Sequence, residues 1–248
     1  MKLAVILLSC AQVHLTNDVV ADIAREADDD IDLYVCDNSE SVSAGYQRQW
    51  RETIIKPPRN LRWVIGVNNT IKLARALGPE CGGGYDAFVA LNDDIRLSPG
   101  FFDAIRDALS DPSVGLVAPS YDDVYRQQVN RYRGPAAGYV SREGLREVPF
   151  VDGTAFAMTS RTISHVGLLD EKRFGVYGWG SDIDYCWRMR QAGLKVAVTF
   201  DAFINHFHQG SAKFVEDDWS GKAGMEMEAG MNEKYGEGWR ERLGFSVG

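Results

Sequence analysis

Short apolar segments alternate with longer amphipathic ones through the first half of the chain. Residues 3–8 and 87–91 are almost wholly apolar, and each run is bounded by polar residues, as buried strands are. Residues 17–27 instead place Val20 and Ile23 on one stripe at helical spacing. This alternation predicts an α/β fold with a mostly parallel sheet and helices on both faces.

The pattern continues along the chain with one interruption. Further strands are predicted at residues 32–36, 63–65, 114–118, 150–159 and 195–200, and further helices at residues 69–76, 100–110 and 181–191. Gly193 stands where the last of these helices needs a left-handed cap. Residues 121–148 have no clean period and are expected to form a loop-rich excursion toward a substrate. Residues 82–84, three glycines without a following Gly-Lys-Ser/Thr, are expected to be a simple turn.

The composition excludes several classes of protein. The chain has 248 residues, 45% of them hydrophobic, which suffices for one large domain or two closely packed lobes and excludes wholesale disorder. Its 27 Lys and Arg against 35 Asp and Glu give a net charge of −8, which disfavours nucleic acid as a partner because such binding needs clustered basic charge. No apolar run approaches the roughly 20 residues of a transmembrane helix. We therefore expect a soluble, cytoplasmic protein.

The cysteines are expected to be reduced. Cys10, Cys36, Cys81 and Cys186 lie far apart, with no Cys-x-x-Cys pair, so mostly buried thiols are the default. The apolar run at residues 3–8 is shorter than the roughly 7–15 residues of a signal-peptide core. A buried first strand is the better interpretation of that run.

Acidic residues follow two of the predicted strands directly. Asp37 comes after the second strand, and Asn92, Asp93 and Asp94 come after the strand at residues 87–91. In an open α/β sheet, ligands collect beyond the carboxyl ends of the strands. Carboxylates there suit Mg²⁺ or Mn²⁺, and Asp94 is the first choice of ligand. The alternative is a loop in which Asn and Asp side chains bond the local backbone.

A third acidic cluster lies at the start of the helix predicted over residues 181–191. Ser181 and Asp184 have the spacing of a capping box, so the helix is expected to begin here. Asp184 and Arg188 are four residues apart and are expected to pair, which leaves Asp182 without a cation on this helix. A general base needs that freedom to accept a proton. The alternative is that Asp182 only complements the helix dipole.

Two of the four histidines lie beyond the last predicted strand. His206 and His208 would face the same way on an extended segment, so a shared metal ion is one interpretation. One metal ligand beside one packing histidine is the other.

Taken together and in this order, these segments resemble the family 2 glycosyltransferases of the GT-A fold, particularly their rhamnosyltransferase-like branch. The resemblance covers residues 1–211 and implies an α/β fold with a GT-A type, Rossmann-like mixed, mostly parallel sheet and helices on both faces. It implies a nucleotide-sugar-binding half at residues 1–112 and an acceptor-binding and catalytic half of the same GT-A domain at residues 113–215. A C-terminal helical tail is expected at residues 216–248.

The resemblance also implies roles for single residues. Nucleotide-sugar-binding positions are implied at Cys10, Ala11, Asp37, Asn68, Asn92 and Asp93. The catalytic base is implied at Asp182, and acceptor-binding positions are implied at Gly153, Trp179 and Asp184. Metal ligands are implied at Asp94 and at His206, which precedes Gly210 and Ser211. Three positions depart from the family pattern. Thr70 stands where a Gly is usual near Asn68, Asn92 replaces the first Asp of the metal-binding Asp-x-Asp, and Ser181 replaces a Glu before the base.

The implied reaction is inverting transfer of a sugar from a nucleotide-diphosphate sugar to an acceptor hydroxyl, dependent on Mn²⁺ or Mg²⁺. Asp182 would take the hydroxyl proton as the oxygen attacks the anomeric carbon. A divalent ion on Asp94 and His206 would stabilise the departing diphosphate. The sequence leaves the acceptor open among a glycan, a small molecule and a protein.

Two other functions stay open on the sequence. A sugar-1-phosphate nucleotidyltransferase uses a related sheet, but it would want a Gly-rich, cationic loop after the first strand, and residues 9–12 contain neither Gly nor a cation. A catalytically degenerate GT-A protein that only binds a sugar or a partner is compatible with Asn92 and Ser181. Metal-dependent hydrolysis of nucleotide sugars separates an enzyme from such a binding module.

Overall fold

The computed structural model describes residues 1–39, 45–77, 84–122, 127–142, 144–208 and 217–245. Within these ranges the strands are β1 (Leu3–Ser9), β2 (Ile31–Asp37), β3 (Glu52–Ile55), β4 (Ala87–Asn92), β5 (Ile95–Leu97), β6 (Val114–Tyr121), β7 (Leu145–Glu147), β8 (Ala155–Thr159) and β9 (Lys195–His206). The helices there are α1 (Val13–Glu26), α2 (Arg62–Leu77), α3 (Phe101–Ser110), α4 (Ser160–Val166), α5 (Glu171–Phe174), α6 (Ser181–Gln191), α7 (Trp219–Tyr235) and α8 (Trp239–Leu243). The expectations for residues 82–83, Cys81, Gly210 and Ser211 lie outside the described residues.

These strands form one mixed sheet in the order β3-β2-β1-β4-β8-β6-β9-β5, and β7 pairs with β9. Strands β3, β2, β1 and β4 run parallel, as do β6 and β9, whereas β8 is antiparallel to both of its neighbours. Because β8 is reversed, its first residue, Ala155, pairs with Leu91 near the end of β4. The turn before β8 therefore lies at the carboxyl ends of the parallel strands, where ligands are expected.

Helices cover both faces of the sheet, as the sequence predicted. Every residue of β1 is buried, which is typical of a central parallel strand. Ile6 and Leu8 belong to one hydrophobic cluster with residues of α2 and α6. Val5 and Leu7 belong to a second cluster with residues of α1 and α3. The alternation along β1 thus holds two apolar layers on opposite faces of one sheet.

The strand predicted at residues 63–65 is wrong, because these residues lie in the first turn of α2. Val64, Val67 and Ile71 are buried at helical spacing along that helix. The third parallel strand is β3 instead, which pairs with β2. A short apolar run containing β-branched residues is equally compatible with a buried helix, so periodicity alone could not decide.

The helix predicted over residues 181–191 is confirmed as α6, but the capping box is wrong. Gly180 occupies the N-cap with a φ of 86°, and a glycine has no side chain that could cap the helix. The Ser181 hydroxyl donates instead to the Gly178 carbonyl at 2.5 Å, and the Asp184 N–H donates to the Gly180 carbonyl. A left-handed φ favours glycine, so backbone conformation rather than a side chain starts this helix.

Two predicted strand boundaries shift in ways that matter for the site. The strand expected at residues 150–159 begins only at Ala155, so residues 152–154 are free to form a turn. The strand expected to end at residue 200 continues as β9 to His206, which pairs with Ile95 of β5. Gly193 has a φ of 74°, as the predicted left-handed cap requires.

The C-terminal helices pack against the middle of the chain. A Cβ on Gly230 of α7 would lie 2.6 Å from Cε1 of Phe174, so this close approach requires glycine. At the C-terminal end of α7, Lys234 and Tyr235 both contact the carboxylate of Asp184 on α6. None of the helices in the described ranges is long and apolar enough to cross a membrane.

Candidate active site

A cleft of about 430 Å³ opens where the parallel strands end. Ser9 at the end of β1 lies opposite Asp37 of β2, and Leu8 lies opposite Asn92 of β4. The turn before β8 closes onto this edge, because the Asn92 N–H donates to the Thr154 carbonyl at 3.0 Å. Eight of the residues predicted from the sequence line the cleft: Cys10, Asn92, Asp93, Asp94, Gly153, Trp179, Asp182 and His206.

Asp93 fixes the first loop of the sheet. Its Oδ2 accepts a hydrogen bond from the Cys10 backbone N–H at 2.8 Å, which brings the β1 loop to the cleft. Burial, together with the nearby Asp93 charge, raises the pKa of the Cys10 thiol to about 11, so the thiol is neutral at physiological pH. The next residue, Ala11, has a left-handed φ of 62° and donates its N–H to the Ser39 hydroxyl at 2.7 Å. Ala11 is exposed and is not among the residues that line the cleft.

Asp37 is buried at the end of β2. Its Oδ1 accepts a weak hydrogen bond from the Ser39 N–H at 3.4 Å, and its buried Oδ2 has no hydrogen-bond partner among the described residues. Buried carboxylate oxygens are normally satisfied, so an unsatisfied one at a ligand-binding edge calls for an explanation. The neighbouring Asn38 lines the cleft, with its Oδ1 accepting the Leu61 N–H at 3.0 Å.

Asn68 is not brought to the cleft, so its predicted contact with the nucleotide sugar finds no support in this geometry. The side chain is fully buried, and its amide joins α2 to the segment before α5. Its Nδ2 donates to the Leu169 carbonyl and to Glu171 Oε1, both at 2.9 Å, while its Oδ1 accepts the Leu169 N–H at 3.2 Å. A side-chain amide satisfied on both sides is a structural clamp.

Trp63 is a cleft residue that the sequence did not reveal, because it was assigned to a strand. Its indole N–H donates to Asn92 Oδ1 at 2.8 Å, and its ring packs edge-on against Phe156. A Cβ on Gly153 would lie 3.2 Å from the Trp63 ring, so this glycine lets the turn approach the indole closely. The hydrogen bond gives the neutral Asn92 side chain a partner inside the cleft.

Asp94 and His206 meet across β5 and β9. The carboxylate Oδ2 of Asp94 lies 3.7 Å from Nε2 of His206, and both side chains are largely buried. The pairing of Ile95 with His206, and a 2.9 Å hydrogen bond from the Phe207 N–H to the Asp94 carbonyl, fix this distance. The His208 ring lies 4.9 Å from the His206 ring, so it packs nearby.

This pair fits a divalent ion that shares its coordination with a ligand. Among the described residues, no group of three or more His, Cys, Asp and Glu side chains is placed to hold a metal. One carboxylate and one imidazole provide two ligands, and Mg²⁺ or Mn²⁺ usually keeps several waters and binds phosphate oxygens in addition. The carboxylate and water ligands are of the kind that Mg²⁺ and Mn²⁺ accept.

Asp182 stands in the cleft at the first turn of α6. Its Oδ2 accepts the Gly153 N–H at 3.2 Å and its Oδ1 accepts the Ile183 N–H at 2.8 Å, so the carboxylate has a fixed direction. Burial raises the pKa of Asp182 to about 7, and the charge of Asp152 adds to the rise. A carboxylate with a pKa near neutrality has the property of a general base.

The predicted acceptor-binding role of Asp184 finds no support in this geometry. Its side chain is fully buried on the far side of α6 and is absent from the cleft lining. The predicted pair with Arg188 is confirmed at 2.9 Å, and Lys234 and the Tyr235 hydroxyl also bind this carboxylate at 2.6 Å. The residue therefore fastens α7 to α6. Asp184 and Tyr235 are 51 residues apart in the sequence, so no periodic pattern could predict this contact.

The other side of the cleft is aromatic. Trp179 is 38% exposed and lines the cleft together with Tyr177 and Trp219. The Trp219 ring contacts the Tyr177 and Trp179 rings edge-on, with centroids 6.1 and 5.6 Å away. Trp219 belongs to α7, so the predicted C-terminal tail supplies part of the cleft. The Trp residues in that tail were the sequence signal of this contribution.

Solved structures of glycosyltransferases resemble this chain in fold. The crystal structure of GalNAc-T7 with UDP, GalNAc and Mn²⁺ has a TM-score of 0.60 at 12% identity, over 83% of this chain and 43% of that one. The mannosyltransferase PcManGT from Pyrobaculum calidifontis, in complex with GDP-Man and Mn²⁺, has a TM-score of 0.59 at 14% identity, over 86% and 59%. The chain thus spans about half the length of these proteins. Its fold is the α/β fold of GT-A glycosyltransferases, as the sequence predicted.

No protein-family model matches the chain. The uncharacterized protein Rv1525 of Mycobacterium tuberculosis (strain ATCC 25618 / H37Rv) is 35% identical over 201 residues, which are 81% of this chain and 72% of the relative. The uncharacterized protein Mb1552 of Mycobacterium bovis matches equally well. The chain belongs to the same family as these mycobacterial proteins. The pre-mycofactocin glycosyltransferase of Mycobacterium tuberculosis is 29% identical over 136 residues, 49% of this chain and 27% of that protein.

Proposed function

We propose that this chain is an inverting glycosyltransferase that moves a sugar from a nucleotide-diphosphate sugar to an acceptor hydroxyl. The observation that carries the proposal is that Asp94 and Asp182 line one cleft with different surroundings. Asp94 lies beside an imidazole, where a cation can be held, whereas Asp182 has a pKa of about 7 and backbone N–H donors around it. The similarity to a pre-mycofactocin glycosyltransferase supports the same class.

Asp182 would act as the base on the acceptor. The acceptor hydroxyl donates a hydrogen bond to the carboxylate, and its oxygen attacks the anomeric carbon of the donor sugar while its proton passes to Asp182. The bond from the anomeric carbon to the diphosphate breaks, and both of its electrons leave with the diphosphate. The N–H groups of Gly153 and Ile183 keep the carboxylate aimed into the cleft during this step.

The leaving diphosphate would lie on the side of the cleft formed by Asp94 and His206. When bound, a divalent ion supplies Lewis-acid stabilisation of the charge that develops there, and Asp94 and His206 are the residues that would hold it. Two protein ligands leave room for phosphate oxygens, which agrees with the spacing of this pair. The requirement for Mn²⁺ or Mg²⁺ is part of the proposal.

The nucleotide would bind along the edge formed by β1 and β2. Asp37 has a buried oxygen with no partner among the described residues, and Asn38 and Cys10 line the adjacent cleft. We assign the nucleotide base to the Asp37 side and the diphosphate to the Asp93 and Asp94 side. The same proposal includes a rhamnosyltransferase-like preference for the donor. A screen for diphosphate binding should therefore include dTDP as well as UDP and GDP.

A thermal-shift panel of UDP, GDP, dTDP and ADP, each with Mn²⁺ or Mg²⁺, tests donor binding. A diphosphate at one hundred times its Kd should stabilise the fold by about 2.7 kcal/mol. For a chain of this size that raises Tm by about 5–10 °C. Asp94→Ala should lose the metal-dependent part of the shift, whereas Asp182→Asn should keep it. A panel with no metal-dependent shift for any diphosphate would refute the proposed donor class.

A further inference from the structure

One carboxylate of α7 binds the turn at residues 176–178, which precedes α6. Glu226 lies in α7, and its Oε1 accepts the Val176 N–H at 2.9 Å. Its Oε2 accepts the next two N–H groups, those of Tyr177 at 2.7 Å and Gly178 at 3.0 Å. Hydrogen bonds from backbone N–H groups to a charged carboxylate are stronger than those between neutral groups. Three consecutive donors on one side chain therefore fix the backbone of this turn.

The turn held by Glu226 carries the aromatic side of the cleft. Tyr177 and Trp179 project from it, and both rings meet the edge of Trp219 on the same helix that bears Glu226. We call these three residues the aromatic wall. Gly178 and Gly180 have φ values of 92° and 86°, so the turn passes through conformations that need an external support to stay in one geometry.

The helix that supplies Glu226 and Trp219 is itself firmly seated. A Cβ on Gly180 would lie 2.8 Å from Cγ of Met227, which shows how closely the turn and α7 approach. At the C-terminal end of this helix, Lys234 binds the carboxylates of both Asp184 and Asp170. The aromatic wall is consequently built on two elements that are braced against one another.

We propose that Glu226 is a positioning residue, and that the aromatic wall it supports receives a sugar ring of the acceptor beside Asp182. The inference rests on the proposed glycosyltransferase function and names the acceptor class as a carbohydrate. The C–H bonds on one face of a pyranose pack against indole and phenol rings, while its hydroxyls remain free to hydrogen-bond. Asp182 lines the same cleft as the wall, where it can reach a hydroxyl of a ring held there.

Saturation-transfer-difference NMR with methyl α-pyranosides of glucose, galactose, mannose and rhamnose tests the inference. The samples contain the wild-type chain, Mn²⁺-free buffer with Mg²⁺, and the diphosphate selected by the thermal-shift panel. At least one glycoside should receive saturation on its ring C–H protons. Trp219→Leu should weaken that binding at least tenfold, and Trp219→Phe should retain most of it because a flat ring remains.

Glu226→Gln should weaken glycoside binding at least fivefold, because a single acceptor oxygen and an NH₂ group cannot accept three N–H donors. Glu233→Gln is the matched control, since Glu233 lies on the same helix in an exposed ion pair with Arg173 and should bind glycosides normally. Circular dichroism confirms that each variant is folded. Diphosphate binding should be unchanged in all of these variants. A general structural defect would weaken diphosphate binding as well.

Three results would overturn the inference. One is diphosphate binding by the wild type without binding of any methyl glycoside. A second is equal glycoside binding by Glu226→Gln and Glu233→Gln. A third is binding of 1-octanol, but not of glycosides, that depends on Trp219, since this would assign the wall to a lipid chain. If the wild type bound no diphosphate, the proposed glycosyltransferase function would be refuted instead. Failure of this inference and failure of the proposed function can therefore be told apart.

Discussion

Replacing Asp182 by Asn should change how the stability of the fold depends on pH. The pKa of Asp182 is raised from 3.8 to about 7, first by burial and then by the charge of Asp152. With a raised carboxyl pKa, the folded state keeps a proton that the unfolded chain has already released. Stability from this group is therefore highest below the unfolded pKa and declines as the pH rises to about 7.

The magnitude follows from the size of the rise. A shift from 3.8 to about 7 corresponds to about 4 kcal/mol at about 1.4 kcal/mol per unit. Asp182 borders an open cleft and is only half-buried, so solvent screening reduces this to about 2 kcal/mol. Relative to Asp182→Asn, the wild type should lose that amount of unfolding free energy between pH 4.5 and pH 8. For a chain of this size the difference is about 4–8 °C in Tm.

Urea unfolding followed by tryptophan fluorescence at several pH values measures the difference directly. The Asn side chain has one acceptor oxygen instead of two, which costs about 1 kcal/mol at every pH and leaves the pH dependence untouched. Asp107→Asn, at an exposed position of α3, is the matched control and should show no pH-dependent difference from the wild type. A difference between wild type and Asp182→Asn that stays constant from pH 4.5 to pH 8 would refute the desolvation of this carboxylate.

Three further substitutions test separate parts of the structure. Asp152→Asn should move the acidic limb of the kcat/KM profile for donor hydrolysis to lower pH, because it removes a charge that raises the pKa of Asp182; an unmoved limb would contradict the coupling. Asp184→Ala should lower the unfolding free energy by about 3–5 kcal/mol and leave diphosphate binding intact, since it breaks a buried ionic contact away from the cleft. Gly180→Ala should destabilise the fold by about 2 kcal/mol in a urea titration, because its φ is 86° and Met227 leaves no room for a Cβ; a neutral effect would show that the turn can relax.

The residues at the strand ends could be predicted because their signal is local. Asn92, Asp93 and Asp94 follow an apolar run directly, and the parallel arrangement of the sheet brings such ends together. Asp182 could be singled out in the same way, because a glycine-rich turn and a helix start surround it. Its partner interactions could not, since the Gly153 N–H belongs to a turn that the sequence placed inside a strand.

The contacts that complete the cleft join segments distant in sequence. Glu226 binds the N–H of Val176, 50 residues earlier, and Asp184 binds Tyr235, 51 residues later. Neither pairing follows from a periodic pattern. Trp63 was hidden for another reason, because three apolar residues fit a strand and a buried helix equally well. Sequence reasoning therefore found the carboxylates that line the cleft and Trp179 beside them, and it missed Trp63 and Trp219.

The central claim is that Asp94 and Asp182 serve one reaction from two sides of a cleft. Release of nucleoside diphosphate from UDP-, GDP- and dTDP-sugars, with and without Mn²⁺, tests it most directly. The wild type should release diphosphate from at least one donor in a metal-dependent manner. Asp94→Ala should lose both this release and metal-dependent diphosphate binding, whereas Asp182→Asn should lose release and keep binding. Metal-dependent release that survives unchanged in Asp182→Asn, or no release above background from any donor in the wild type, would contradict the claim.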